Sequence, residues 1–301
     1  MGRMPDFLVI GAAKSGTTSL YFYLQQHPKI FMPFMKEPFF FAFEGLDPYQ
    51  YHFEGKMRSN FKAIVDLEHY QTLFENAPKE SLAGEASTLY LYDKNAAERI
   101  KYHIPDVKMI VLLRNPVDRA YSHFRHFVRD GFEPESDFTT VIKSEKKRME
   151  ENWFPSYYYL DAGFYSIQLK RYFDLFPKNQ FKIFLYEDLL DAEQMVREIF
   201  EFLGLDTNIR LDTGAKHNRS GLLRFPDLYD SVRNSSRVKP FIRKLIPIKI
   251  WSRLREFWEK ALIKPIDGLD DKVRPELQKI YREDILELQE LIDRDLSRWL
   301  E

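Results

Sequence analysis

The feature that most constrains this chain is an apolar segment that runs into a loop of small residues around one lysine and then into a helical pattern. Residues Phe7 to Ile30 read FLVIGAAKSGTTSLYFYLQQHPKI. A strand, a tight loop and a helix in that order aim backbone N–H groups and the positive end of the helix dipole at an anion. The loop departs from that of ATP- and GTP-using proteins, G-x-x-x-x-G-K-[ST], where the lysine follows the second glycine and the next hydroxyl residue ligates Mg²⁺. Here Gly16 is followed by Thr17 and Thr18, and Lys14 precedes it by two positions. Ser15, Gly16, Thr17 and Thr18 offer donors to one terminal phosphate-like group. The alternative is an ordinary strand-to-helix turn with a threonine cap.

Four apolar segments, Phe7–Ile10, Leu82–Ala86, Met109–Leu113 and Lys182–Tyr186, read as buried strands of a parallel sheet. Helical patterns follow three of them: Thr17–His27; Asn115–Asp130, with Asn115 as cap, Pro116 at the first helical position and Gly131 as terminator; and Glu193–Leu203, closed by Gly204. This alternation predicts an α/β fold, a doubly wound parallel sheet flanked by helices, with ligand sites at the carboxyl ends of the strands. Leu277, Ile280, Tyr281, Leu288, Leu291, Ile292, Leu296 and Trp299 recur at helical spacing and predict a closing helix over 275–300. With no repeat and no clear linker, residues 1–301 read as a single domain with a basic and aromatic excursion over 232–270.

Composition narrows the function classes. With 44% hydrophobic residues in 301, the chain can bury a substantial core. A formal net charge of -1 argues against nucleic acid or another polyanion as a partner bound through overall charge. The absence of cysteine removes disulfides, thiolate metal sites and a cysteine nucleophile. No stretch approaches the length of a membrane span, and Phe7 to Ala13 is too short for a signal-peptide core. Met1-Gly2 begins a myristoylation pattern, but Asp6 stands where Ser or Thr is required. A soluble, cytoplasmic protein is expected.

A second motif, MIVLLRNPVDRAYSHF, ends its strand in Arg114, where P-loop nucleotidases commonly place an aspartate that helps hold Mg²⁺. The sign of the charge is reversed. Ser122 lies seven residues beyond the cap Asn115, about 11 Å along the helix axis. Arg114 extended beside the helix would meet it at a second phosphate, separate from the one at the first loop. Alternatively, Arg114 pairs with a core carboxylate and Ser122 is a helix-surface hydroxyl.

The displaced lysine and the Arg-plus-Ser pair together resemble the donor-binding motifs of the sulfotransferases that use 3′-phosphoadenosine-5′-phosphosulfate (PAPS), in the bacterial branch related to the glycosaminoglycan and heparan sulfate sulfotransferases. MKEPFFF (35–41), GEASTLYLY (84–92), YEDLL (186–190) and KHNRSG (216–221) extend the resemblance over most of the chain. It implies a P-loop NTPase-like domain in which Lys14 to Thr18 hold the 5′-phosphosulfate and Arg114 and Ser122 the 3′-phosphate. Lys216, Asn218, Arg219, Ser220 and Gly221 would cover the nucleotide. It also implies that Lys14 contacts the leaving oxygen, that Lys36 contacts the phosphosulfate, and that Glu37 is the base removing the acceptor proton. A sulfuryl group in transfer carries less negative charge than a phosphoryl group, so lysine and backbone donors suffice and no metal is required.

A carboxylate among Pro38, Phe39, Phe40 and Phe41 would be partly desolvated and hence more basic; the alternative is a solvated Lys-Glu step before a proline. Two positions depart from the glycosaminoglycan-type pattern: Phe39 stands where a histidine is usual, and Ala86 where a lysine is usual. The competitor for the base is a histidine brought close in space, His103 or His123. The run WFPSYYYL reads as packing, with a sugar- or lipid-binding platform as the alternative. His123 and His126 read as surface or packed histidines, without a third ligand for a metal.

The function expected is in-line sulfuryl transfer from PAPS, with adenosine 3′,5′-bisphosphate (PAP) as product, to an acceptor hydroxyl on a carbohydrate, glycolipid or other small molecule, or to an amine. The alternatives are an ATP- and Mg²⁺-dependent small-molecule kinase and a non-catalytic domain that binds the bisphosphate. Residues 233–264 carry ten Lys or Arg against two Glu, interleaved with aromatic and apolar residues. That segment either covers the domain with its basic side solvated, or borders the acceptor cleft and attracts an anionic glycan or lipid headgroups at a membrane surface.

Overall fold

The computed structural model describes residues 2–213, 269–270 and 272–301, together with the backbone of Leu222–Leu223 and Ile263–Lys264. Its frame is a five-stranded sheet of β1 (Phe7–Gly11), β2 (Ile30–Phe31), β3 (Leu82–Ala86), β4 (Lys108–Leu113) and β5 (Phe181–Leu185), in the order β2-β3-β1-β4-β5. Every pairing is parallel. The four strands expected from apolar runs are present within one residue at each end. β2 is two residues long at the edge of the sheet, too short to carry a period. The backbone pairs β6 (Leu222–Leu223) and β7 (Ile263–Lys264) form a separate antiparallel ribbon.

Among the described residues the helices in chain order are α1 (Thr17–Leu24), α2 (Phe40–Phe43), α3 (Met57–Asn60), α4 (Leu67–Thr72), α5 (Ala96–His103), α6 (Pro116–Asp130), α7 (Phe138–Glu150), α8 (Tyr165–Phe173), α9 (Ala192–Leu203) and α10 (Val273–Ile292). Alternate residues of the central strands feed two separate cores, as the pleat requires. Phe7, Val9, Ile110 and Leu112 pack with Leu20 and Leu24 of α1 and Met195, Ile199 and Phe200 of α9. Leu8, Ile10, Met109, Val111 and Leu113 pack with Val117 and Phe124 of α6, Leu169 of α8, and Leu277, Tyr281, Ile285 and Leu288 of α10. Helices therefore cover both faces. The connection leaving β1 runs towards β2 and that leaving β4 towards β5, so a crevice opens between the carboxyl ends of β1 and β4, where doubly wound sheets hold ligands.

Local chemistry sets the ends of the key helices. In α6 the Asn115 side chain accepts from the N–H groups of Val117 and Asp118, Pro116 fills the first position, and Gly131 closes the helix at φ +71°. Gly204 closes α9 at φ +79°. The closing helix is shorter than the 275–300 expected. α10 starts at Val273 and stops at Ile292, because Asp293 adopts a left-handed conformation at φ +53°. A 3₁₀ turn at Ser297–Trp299 follows, and Leu296 and Trp299 still reach the core. Burial thus continues the apolar spacing through a changed backbone. Among the described residues no helix is long and apolar enough to cross a membrane.

Candidate active site

The lysine loop leaves β1 at the crevice. Lys14 takes a left-handed backbone, φ +68°, and Gly16 follows at φ +97°. Gly16 is the N-cap of α1 but gives no side-chain cap, so no side chain competes for the first N–H groups of the helix. At φ +97° a side chain on Gly16 would be strained, and its Cβ would lie 2.4 Å from Leu189 Cδ1 of the YEDLL turn. Ser15 is fully buried, its hydroxyl beside the Tyr165 phenol but without a close hydrogen-bond partner. Burial above all, then the Arg129 guanidinium, brings the Lys14 ammonium down to about 8; Arg114 adds to this, while Asp130 and Glu37 pull the other way. Buried lysine, buried serine hydroxyl and open helix start together fit a bound anion.

Arg114 meets the loop directly. Its Nη1 donates to the Lys14 carbonyl at 3.2 Å, its guanidinium lies 4.4 Å from the centre of the Tyr186 ring, and its own carbonyl accepts from Tyr165 at 3.0 Å. Among the described contacts it pairs with no core carboxylate. Ser122 lies half-buried on α6, two turns on. The acidic residues of YEDLL are structural: Asp188 accepts from the Leu185 N–H and from Arg294, and Glu187 from the Trp299 indole.

Lys14, Lys36 and Glu37 share a cavity of about 510 Å³, together with Thr17 and Thr18. Met35, Phe39, Met57, Phe61, Phe132 and Phe154 contribute apolar wall. Glu37 has a left-handed backbone at φ +60°. Its Oε1 accepts from Lys36 Nζ at 2.7 Å and from Thr88 Oγ1 at 3.3 Å. The Glu37 side chain is 31% exposed, partly desolvated as expected, with Phe39 in the same cavity wall, while Phe40 and Phe41 turn wholly into the core. It is a partly open carboxylate tied to a lysine.

His123, one of the two histidines competing for the role of base, is packed, as one of the readings expected, and lines the cavity with Arg119; His126 lines it too, with its side chain 30% exposed. Burial, then Arg119, holds His123 well below the usual histidine range. Burial likewise lowers His126, whose Nε2 lies 3.2 Å from Asp130 Oδ2. Burial opposes ionisation of Asp130, but hydrogen bonds from His126 and Arg129 hold its carboxyl far below the ordinary value. The pairing of His126 with Asp130 was not read from the sequence; its signal was the spacing of 123, 126 and 130 along one face of α6. His103 instead pairs with Glu44 at 2.7 Å and packs on Phe40 and Phe41. In WFPSYYYL, Tyr157, Tyr158 and Tyr159 are buried as packing, while Phe154 adds to the cavity wall. No group of three metal-ligating side chains occurs among the described residues. Lys216, Asn218, Arg219, Ser220 and Gly221, and most of the basic 233–264 segment, lie outside the described residues.

Residues 5–208 match the model of a family described as the sulfotransferase family. A crystal structure of a sulfotransferase from Alicyclobacillus acidocaldarius superposes with a TM-score of 0.76 at 32% identity, covering 99% of this chain and 100% of that one. The human bifunctional heparan sulfate N-deacetylase/N-sulfotransferase 3 is 30% identical over 210 residues, 67% of this chain and 22% of that protein. The membrane-associated sulfotransferase kil1 of Dictyostelium discoideum is 37% identical over 127 residues, 41% of this chain and 23% of that protein. The chain thus spans under a quarter of the length of these two relatives.

Proposed function

The chain belongs to the sulfotransferase family, and from that premise we propose that it moves a sulfuryl group from PAPS to an acceptor hydroxyl on a carbohydrate, glycolipid or other small alcohol. The observation that carries the reading is the meeting of Lys14, Arg114 and the open start of α1 at one crevice, with Glu37 in the same cavity as Lys14. PAPS supplies the activated sulfuryl group. Lys14, Ser15, Gly16, Thr17 and Thr18 bind its 5′ end, and Arg114 and Ser122 take the 3′-phosphate. Lys36, Lys216, Asn218, Arg219, Ser220 and Gly221 complete the donor site.

Glu37 Oε accepts the proton of the acceptor hydroxyl as that oxygen bonds to sulfur. The bond from sulfur to the 5′-phosphate oxygen breaks, and Lys14 stabilises the charge left on the phosphate. The products are a sulfate ester, adenosine 3′,5′-bisphosphate and one proton. No step calls for a metal ion.

Donor binding tests this reading apart from turnover. Adenosine 3′,5′-bisphosphate is expected to raise the melting temperature well above the effect of ATP with Mg²⁺, since a ligand that binds only the native state stabilises it by mass action. Arg114→Ala should erase most of that preference. Better protection by ATP–Mg²⁺, or loss of bisphosphate binding in EDTA, would favour a kinase instead.

The lowered Lys14 gives a pH signature. An anion beside it favours the protonated ammonium, so above pH about 8 the complex holds more protons than the empty protein. Affinity for the bisphosphate is therefore expected to fall as pH rises through that value, by up to about tenfold per unit. Calorimetry in buffers of different ionisation heat should register proton uptake above that pH and little below it. A pH-independent affinity across this range would remove Lys14 from the donor site.

A further inference from the structure

Glu37 and Phe39 both hold left-handed backbones, at φ +60° and +57°. Side-chain-bearing residues avoid this conformation. A turn built from two of them persists only where its surroundings fix it.

The surroundings are the end of β3 and the residues that follow. The Glu37 N–H donates to the Ala86 carbonyl at 3.0 Å, and the Phe39 N–H to Ser87 Oγ at 3.1 Å. One turn further, the Phe41 N–H reaches Tyr90 Oη at 3.5 Å. Two of these acceptors are hydroxyls, and a hydroxyl has only one proton to give away. Ser87 gives its proton to Glu85 Oε1 at 2.5 Å, and the Tyr90 hydroxyl lies beside both Ser87 and Glu85. Each hydroxyl is then left with lone pairs for the amides of the turn. Tyr70, from α4, donates to the other carboxyl oxygen at 3.2 Å.

Glu85 itself is fully buried on β3, opposite Leu8 of β1, and is met by hydroxyls rather than by a cation. A carboxyl group in such a place is costly to bury and adds no apolar packing. The same strand end is anchored to β1, since the Ser87 N–H donates to Val9 and the Leu91 N–H to Ile10. The lysine loop grows from β1. The Glu37 turn and the Lys14 loop therefore hang from one pair of strands.

We propose that Glu85 is a positioning residue that orients the Ser87 and Tyr90 hydroxyls and so fixes the turn carrying Glu37 against the donor loop. The proposal rests on the reading of Glu37 as base, but its primary test does not require turnover.

Amide exchange at Phe39 and Phe41, followed by NMR on ¹⁵N-labelled protein, reads the two bonds directly. Ser87→Ala should speed exchange at Phe39 about tenfold, the loss of one buried hydrogen bond. Glu85→Ala should speed both amides, while Glu85→Gln, which keeps one acceptor oxygen, should restore part of the protection. Strands β1 and β4 should exchange as in the parent, and bisphosphate affinity should hold. With an acceptor recovered from a metabolite extract, turnover should drop by roughly 10–100-fold at unchanged donor KM, as a displaced base requires.

Parental exchange at Phe39 and Phe41 in Glu85→Ala would overturn the proposal, as would faster exchange spread evenly through β1 and β4. If Glu85→Ala does not fold, Ser87→Ala and Glu85→Gln decide by the same two amides. Parental turnover in Glu37→Gln would sink the base reading alone. An inactive Glu37→Gln beside a fully active Ser87→Ala with an unprotected Phe39 would sink the positioning role alone.

Discussion

Glu37→Gln is expected to leave bisphosphate binding nearly intact and to lower turnover by the ~10²–10⁴ typical of a lost general base. The substitution preserves the shape of the side chain. Its amide oxygen can still accept from Thr88, which now donates to Oε1 at 3.3 Å. What disappears is the charge that holds Lys36 at 2.7 Å and the capacity to take a proton. A fall in turnover without a change in donor affinity therefore isolates proton removal. Near-parental turnover would move the search to His123 and His126, which line the same cavity. Burial keeps both below the usual histidine range, so either would enter the reaction neutral but as a weaker base than an exposed imidazole.

Lys14→Ala is expected to fail in both respects. Truncation removes the buried cation at the end of the site proposed for the phosphosulfate, so donor affinity and turnover should fall together. Loss of one preorganised donor to a developing oxyanion typically costs about 10²–10³ in kcat. Lys14 also occupies a left-handed position whose carbonyl receives Arg114 Nη1 at 3.2 Å. That bond uses the backbone and survives the substitution, so Arg114 should keep its place. Unchanged donor affinity in Lys14→Ala would mean that the displaced lysine serves something other than the donor.

The sequence carried the strands and the helix ends where local chemistry was decisive. Asn115, Pro116, Gly131 and Gly204 each act within one turn of the chain, and each stands where the pattern put it. The end of α10 was not legible, because Leu296 and Trp299 keep a helical spacing while Asp293 breaks the helix. Lys14, Lys36 and Glu37 were found through motif order, and the structure brings them to one cavity. Their environment was harder to read. Phe40 and Phe41, close to Glu37 in sequence, point into the core, so adjacency alone does not say which rings border the carboxylate. The arrangement of Glu85, Ser87 and Tyr90 depends on which hydroxyl faces which amide 48 residues away in sequence, as at Ser87 and Phe39. No local pattern records that.

The most direct test supplies purified protein with [³⁵S]PAPS and a native metabolite extract in excess EDTA, and follows label and nucleotide by mass spectrometry and chromatography. The account predicts a labelled sulfate ester formed in step with adenosine 3′,5′-bisphosphate, without a divalent ion, and lost in Glu37→Gln. Label that stays on PAPS while the nucleotide binds, or phosphorylated products that form only with ATP and Mg²⁺, would contradict it.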